Sequence, residues 1–159
     1  MSMTITIDRA LFETVYSMLN LTKPVNLAVS VEPPAGLAKS IFGGKSSPQE
    51  DPQIRDIDSK TVLDAVAGAY GPRLVRDSEE IEEHCIWVRP TRGTFETSIS
   101  LVHEMIHASQ MESFGIKMYA ELDTKWMNQV GYERNPFEVE AENMSRFIVE
   151  DIGILFYES

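Results

Sequence analysis

Hydrophobic and polar positions in the first part of the chain follow two different periods. In residues 7–19 apolar side chains recur three or four positions apart, which predicts an amphipathic helix that Asp8 caps at its start. In residues 24–31 the alternation and the β-branched content predict a strand, which a Pro-Pro pair ends. Residues 33–59 are rich in Pro, Gly, Ser and Lys and predict a long mobile loop.

The middle of the chain predicts three shorter elements. Residues 59–70 place apolar side chains along one side of a short helix, with Gly71 and Pro72 as its stop. Residues 77–83 are a run of charge that predicts a solvated turn. Residues 84–88 then predict a strand, because they are rich in apolar and β-branched side chains.

Two long helices are predicted in the second half of the chain. The first begins near Thr94 or Thr97 and carries apolar residues on more than one side, which is typical of a buried helix. The second begins at Asn135 and Pro136, since asparagine caps helices well and proline suits the first helical position. Its apolar stripe comprises Phe137, Ala141, Met144, Ile148, Ile152 and Leu155.

The composition agrees with one globular domain over residues 1–159. Apolar residues make up 43% of the chain and charged residues 25%, which is ordinary for a domain with one proper core. The net charge of −11 argues against nucleic acid or an anionic membrane surface as the main partner. The chain has one cysteine, no signal-peptide pattern and no long apolar run, so we expect a cytoplasmic protein.

Three residues of the first long helix have the pattern of a metal site. His103 and His107 are four positions apart, so both imidazoles project from one face and can bind the same ion. Glu104 lies beside them, where its carboxylate can take a proton from water held by the metal. Burying such groups is costly unless they are paired or bound to metal, and two histidines at this spacing predict Zn²⁺.

A catalytic zinc site typically has a third protein ligand. No histidine follows His107, and His84 on the preceding strand is better interpreted as a surface or cleft residue. Glu112 lies too far along the same helix to reach the ion. Glu138 and Glu140 flank the apolar stripe of the last helix on opposite sides, so amphipathicity leaves both of these candidates open.

The sequence Phe-Glu-Val-Glu-Ala-Glu at residues 137–142 resembles the E-x-x-A-[D/E/N] signature of gluzincin zinc metallopeptidases. The resemblance implies that Glu138 completes the zinc site and that Glu142 supports it from the second shell. Tyr132 precedes Glu138 by six residues, which is similar to an arrangement in the catalytic core of anthrax lethal factor, a minimal zincin. This similarity implies that the Tyr132 hydroxyl faces the oxyanion that develops during peptide hydrolysis.

The same resemblance implies an α+β, zincin-like metallopeptidase domain. Such a domain has a small mixed sheet, an edge strand over the active-site helix and a C-terminal helix that supplies the third ligand. Residues 84–88 occupy the place of the edge strand in the order of elements, and an edge of this kind binds extended peptides by strand addition. On composition alone, the same residues fit an ordinary core strand equally well.

Two functions are expected from these observations. The first is a zinc-dependent endopeptidase in which Glu104 is the general base, Tyr132 assists, and a peptide or protein is the substrate. The alternative is a non-catalytic or structural zinc-binding module that recognises a protein partner. A fourth protein ligand, such as Glu140 or His84, would favour the alternative, because structural zinc sites leave no position for water.

Overall fold

The computed structural model describes residues 4–34 and 67–158, which form a mixed α+β fold. The predicted loop at 33–59, from residue 35 on, and the predicted helix at 59–70, up to residue 66, lie outside the described residues. The described part of the chain contains five strands and four α-helices, in the order β1 (Ile5–Ile7), α1 (Arg9–Met18), β2 (Val25–Val29), β3 (Gly68–Leu74), β4 (Ile81–Val88), α2 (Gly93–Phe114), α3 (Ile116–Val130), α4 (Pro136–Ile152) and β5 (Phe156–Glu158).

Two small sheets are present among the described residues. β2, β4 and β3 form a three-stranded sheet in that order, with β2 parallel and β3 antiparallel to β4. β1 and β5 form a separate antiparallel pair, so the two ends of the described chain lie side by side. The prediction of a small mixed sheet is therefore confirmed.

The position of residues 84–88 within the sheet differs from the prediction. These residues belong to β4, which is the central strand and pairs with β2 on one side and β3 on the other. A strand paired on both sides has no free backbone groups for an added peptide, so the edge-strand prediction for 84–88 is wrong. The edge strand of this sheet that lies next to α2 is β3. β3 contacts α2, and no other described strand pairs with the outer side of β3.

The chain from Gly68 onward is a strand and not the end of the predicted helix. Gly71 and Pro72, which we expected to stop a helix, lie inside β3 opposite Cys85 and His84. Pairing with β4 outweighs a weak local helical pattern, and proline is tolerated because β3 is an edge strand. The predicted charged turn joins β3 to β4, although β4 begins three residues earlier than expected.

The predictions for α1 and β2 are confirmed. α1 begins after Asp8, whose carboxylate accepts a hydrogen bond of 3.1 Å from the Leu11 N–H and so caps the helix. Its apolar face places Phe12 and Val15 in the core. β2 lies inside the predicted range and aligns Val25 with His84 at the start of the parallel pairing.

α2 is the buried helix that its sequence predicts. It lies against β3, β4 and α4, and Leu101, Val102, Met105 and Ala108 have no exposed surface. Ala141 of α4 is also fully buried, and its small side chain allows α4 to approach α2 closely. None of the helices within residues 4–34 and 67–158 is long and apolar enough to cross a membrane.

Candidate metal centre

Two histidines on one face of α2 lie at the centre of the site. The ring centroids of His103 and His107 are 4.9 Å apart, and their Nε2 atoms are 3.2 Å apart. The i, i+4 spacing within one helix is sufficient to bring these two nitrogens together. The side chains are 16% and 8% exposed, so the nitrogens are largely enclosed but not sealed from solvent.

The start of α4 is held by Asn135, which is fully buried. Its side-chain oxygen accepts a hydrogen bond of 3.0 Å from the Phe137 N–H, and its amide nitrogen donates one of 2.7 Å to Asp123 of α3. Pro136 occupies the first helical position, as the sequence predicts. The cap therefore fixes where the first turn of α4 begins, and Glu138 lies in that turn.

Glu138 faces both histidines. Its Oε2 is 3.2 Å from His103 Nε2, and its Oε1 is 3.1 Å from His107 Nε2. Neighbouring ligand atoms around a tetrahedral zinc with bonds of about 2.0–2.1 Å are about 3.3 Å apart, so the spacing and the two-nitrogen, one-carboxylate chemistry fit Zn²⁺. Within the described ranges, this is the one group of three or more His, Cys, Asp or Glu residues whose ligand atoms all lie within 4.8 Å.

Opposite charges stabilise the cluster. Burial raises the pKa of Glu138, but hydrogen bonds from His103 and His107 outweigh it, and the pKa lies well below its usual range. Burial lowers the pKa of His107, but its hydrogen bond to Glu138 and the charge of Glu104 act more strongly and raise this pKa to about 9. Glu138 is thus an ionised carboxylate, which is the form that binds a metal ion.

Glu104 is partly exposed as a residue, but its carboxyl group is buried beside the cluster, where α2 passes under the start of β3. A methyl group added to Gly68 of β3 would lie 3.6 Å from Glu104 Cγ, so the strand runs directly over this side chain. Burial raises the pKa of Glu104, while the charges of His107 and His103 act in the opposite direction. A raised carboxyl pKa suits a group that accepts and returns a proton near neutral pH.

Glu142 and Tyr132 border the cluster. One oxygen of Glu142 is 3.5 Å from His103 Nδ1, and the other accepts a hydrogen bond of 3.0 Å from Arg146. Tyr132 lies in the 3₁₀ turn before α4 and is 57% exposed. Partial burial, the charge of Glu138 and a hydrogen bond to its carboxylate raise the pKa of the Tyr132 hydroxyl. Glu142 therefore lies beside His103, and Tyr132 lies beside Glu138.

The two alternative ligands are engaged elsewhere. Glu140 accepts a hydrogen bond of 3.1 Å from the Gln110 amide and does not belong to the cluster. His84 is fully buried and lies 2.8 Å from the Tyr70 hydroxyl and 2.6 Å from Glu112. The interpretation of His84 as a surface or cleft residue is therefore wrong, because partners on both ring nitrogens offset the cost of burying it.

Two further residues contact His107, and the sequence patterns did not single them out. Gln110 Oε1 is 2.8 Å from His107 Nδ1, and the Tyr119 hydroxyl is 3.4 Å from the same nitrogen. Gln110 follows His107 by three positions, and this same-face spacing is the signal that could have indicated it. Tyr119 comes from α3, where it stacks on Phe137 at 4.3 Å, and no local pattern indicates that contact.

Comparison of the chain with protein-family models, curated proteins and solved structures finds no match. What the cluster can do is therefore inferred from its own chemistry. Two imidazole nitrogens and one carboxylate oxygen converge on one point, and a buried carboxyl group lies next to them. This arrangement can hold a divalent ion and move a proton beside it.

Proposed function

We propose that this protein is a zinc-dependent endopeptidase of the gluzincin type on a zincin-like fold. The observation that carries the proposal is the convergence of His103, His107 and Glu138, with the buried Glu104 carboxyl beside them. The ligand atoms of these residues lie within 4.8 Å of one another, and the contacts of 3.1 and 3.2 Å between the side chains are close to the separation of neighbouring ligands at a tetrahedral zinc. The two histidines lie on α2 and the carboxylate lies on α4. This order agrees with the gluzincin resemblance, in which the helix with the E-x-x-A-[D/E/N] signature follows the histidine helix.

His103, His107 and Glu138 would hold Zn²⁺, which in such a site lowers the pKa of a water molecule and polarises the scissile carbonyl. Glu104 would then act as the general base that accepts the proton from the attacking water. Burial raises the pKa of its carboxyl group, which favours holding the proton before it is passed on to the departing amine. Glu142 would orient His103 through the 3.5 Å contact with Nδ1.

Tyr132 would assist the reaction from the 3₁₀ turn before α4. Its hydroxyl lies next to Glu138, and the raised pKa keeps it protonated as a hydrogen-bond donor. The oxyanion that forms on the substrate carbonyl needs such a donor as negative charge develops. A side chain that is 57% exposed can also adjust when a substrate binds.

The substrate would be an extended peptide laid along β3. β3 is the strand over Glu104, and its outer side is not paired with any described strand. Backbone groups at a free edge accept an added strand, whatever the side chains of that strand are. This assigns to β3 the role that the order of elements had suggested for residues 84–88.

The number of converging side chains supports a catalytic zinc site over a structural one. A structural zinc site has four protein ligands, whereas three side chains converge here among the described residues. Glu140 and His84, which would have closed the site, bond to Gln110, Tyr70 and Glu112. A non-catalytic binding module remains the competing function, and it is distinguished by the absence of hydrolysis.

Metal analysis of the purified protein combined with a peptide-library digest tests the proposal. We expect one zinc per chain and cleavage that a chelator abolishes and added zinc restores. A Glu104→Gln preparation, purified in parallel, controls for contaminating peptidases because it should retain zinc without cleaving. Zinc without cleavage in the parent protein would support the binding module, and a protein free of metal would contradict both functions.

A further inference from the structure

Gln110 of α2 connects the two helices that carry the candidate ligands. Its side-chain oxygen is 2.8 Å from His107 Nδ1, while its amide nitrogen donates to the Phe137 carbonyl at 3.0 Å and to Glu140 at 3.1 Å. The residue is 4% exposed, so these contacts replace water almost completely. A single buried amide therefore bonds to a candidate ligand on α2 and to the first turn of α4.

The partners of Gln110 determine which way its amide is oriented. A backbone carbonyl and a carboxylate can only accept hydrogen bonds, so the amide nitrogen must face Phe137 and Glu140. The oxygen is thereby left to face His107, and His107 Nδ1 must be the donor in that contact. With its proton on Nδ1, the imidazole presents the lone pair of Nε2 to an ion.

Tyr119 reinforces the same orientation. Its hydroxyl is 3.4 Å from His107 Nδ1, so its oxygen can serve as a second, longer acceptor for the Nδ1 proton. Tyr119 is held in place by stacking on Phe137, the residue whose carbonyl Gln110 binds. Among the described residues, two acceptors thus lie next to Nδ1, and a flipped ring would place a carbon atom there instead.

We propose that Gln110 is a positioning residue that holds His107 in its metal-binding orientation and sets the distance between His107 and Glu138. The inference rests on the proposed zinc function and adds a residue outside the gluzincin signature. The ring is oriented through Oε1, and the turn of α4 that carries Glu138 is tied to α2 through Nε2. Losing both effects at once should weaken zinc binding on the order of 10- to 100-fold, as losses of such outer partners do.

The test measures zinc affinity by competition with a chelator for the parent protein and for Gln110→Ala. Ser109→Ala is the matched control, because Ser109 also joins α2 to another segment by a partly buried hydrogen bond, to Leu19 O at 2.8 Å, and is not one of the three candidate ligands. We expect Gln110→Ala to lose affinity and Ser109→Ala to keep it. Nitrogen-edited NMR of the zinc form should show a protected Nδ1 proton on His107 in the parent and a rapidly exchanging one in Gln110→Ala.

A second variant keeps the test decisive if Gln110→Ala folds poorly. The exchange Gln110→Glu with Glu140→Gln retains an acceptor for His107 Nδ1 and reverses the bond to residue 140, but it leaves the Phe137 carbonyl without its donor. It should therefore restore the protected proton and only part of the affinity. Parent-like affinity and proton protection in Gln110→Ala would overturn the positioning role while leaving the proposed peptidase intact. A parent protein that binds no zinc would instead overturn the proposed function, and the positioning role with it.

Discussion

The imidazole of His84 and the carboxylate of Glu112 are joined at 2.6 Å between the central strand β4 and the last turns of α2. The same carboxylate accepts hydrogen bonds from the Thr22 N–H and hydroxyl and from the Lys23 N–H, while the other nitrogen of His84 meets the Tyr70 hydroxyl. These contacts tie two strands, one helix and the turn before β2 into one network. His84, which is fully buried, and Glu112, which is partly buried, thus have a structural role.

Replacing Glu112 with Ala should destabilise the fold. Burial raises the pKa of Glu112, but hydrogen bonds from Thr22 and His84 outweigh it and the net pKa is lowered, so the stabilisation is present above about pH 4.5 and is lost as the pH falls. We expect a loss of about 1–3 kcal/mol in the free energy of unfolding in urea at pH 7, since the buried His84 loses a hydrogen-bond partner. The exposed Glu150→Ala is the control, and equal stability of the two variants would refute the network.

Removing individual ligands should separate Glu138 from Glu140. His103→Ala, His107→Ala and Glu138→Ala should each abolish tight zinc binding, because each removes one of three converging ligand atoms. Glu140→Ala should leave the affinity nearly intact, since Glu140 bonds to the Gln110 amide instead. Zinc content by mass spectrometry after dialysis is the measurement, and a reversed result for the two glutamates would move the third ligand by two residues.

Glu104→Gln should separate zinc binding from catalysis. An amide cannot accept the proton of the attacking water at neutral pH, so hydrolysis should fall to background while zinc content and thermal unfolding stay unchanged. Cleavage by this variant at the parent rate would disprove Glu104 as the base. Loss of zinc in the same variant would indicate that Glu104 is itself a ligand.

Zinc affinity should increase with pH up to about 9. The pKa of His107 is raised from 6.5 to about 9 through Glu138, so this pair stabilises the metal-free fold fully below about pH 6.5 and less as the pH rises through 9. Zinc must displace the His107 proton, and the affinity therefore improves as that proton is lost. Chelator competition between about pH 6 and pH 9 measures the zinc affinity. As the control, the pH dependence of unfolding is compared between the metal-free parent and Glu138→Gln, which lacks the charge that raises the His107 pKa. An affinity independent of pH would contradict the prediction.

Tyr132→Phe should lower kcat with little change in KM. The hydroxyl contact with the developing oxyanion would exist mainly in the transition state, and losing one such donor typically costs on the order of 100-fold or more in rate. Phenylalanine preserves the ring, so the substitution should have little effect if Tyr132 only packs against the turn before α4. Steady-state kinetics on any cleaved peptide decides the matter, and an unchanged kcat would end the catalytic role.

Features that depend on neighbours within one turn of helix could be predicted from the sequence alone. The His103–His107 pair follows from the i, i+4 spacing, and the caps at Asp8 and Asn135 are hydrogen bonds across two or three residues. The sequence also predicts the burial of α2, since apolar side chains surround the helix. In each case the interacting groups are close along the chain, so their placement requires no knowledge of the remaining fold.

Contacts between groups that are distant in sequence depend on the packing of the whole fold and could not be predicted in this way. Glu138 and Glu140 differ by two positions on one helix, and the packing of α4 on α2 through Ala141 determines which of them faces the histidines. The central position of β4, the strand at Gly68 and the burial of His84 likewise depend on partners far away in sequence. Local propensity cannot report such contacts, because pairing and burial free energies that arise only on folding outweigh it.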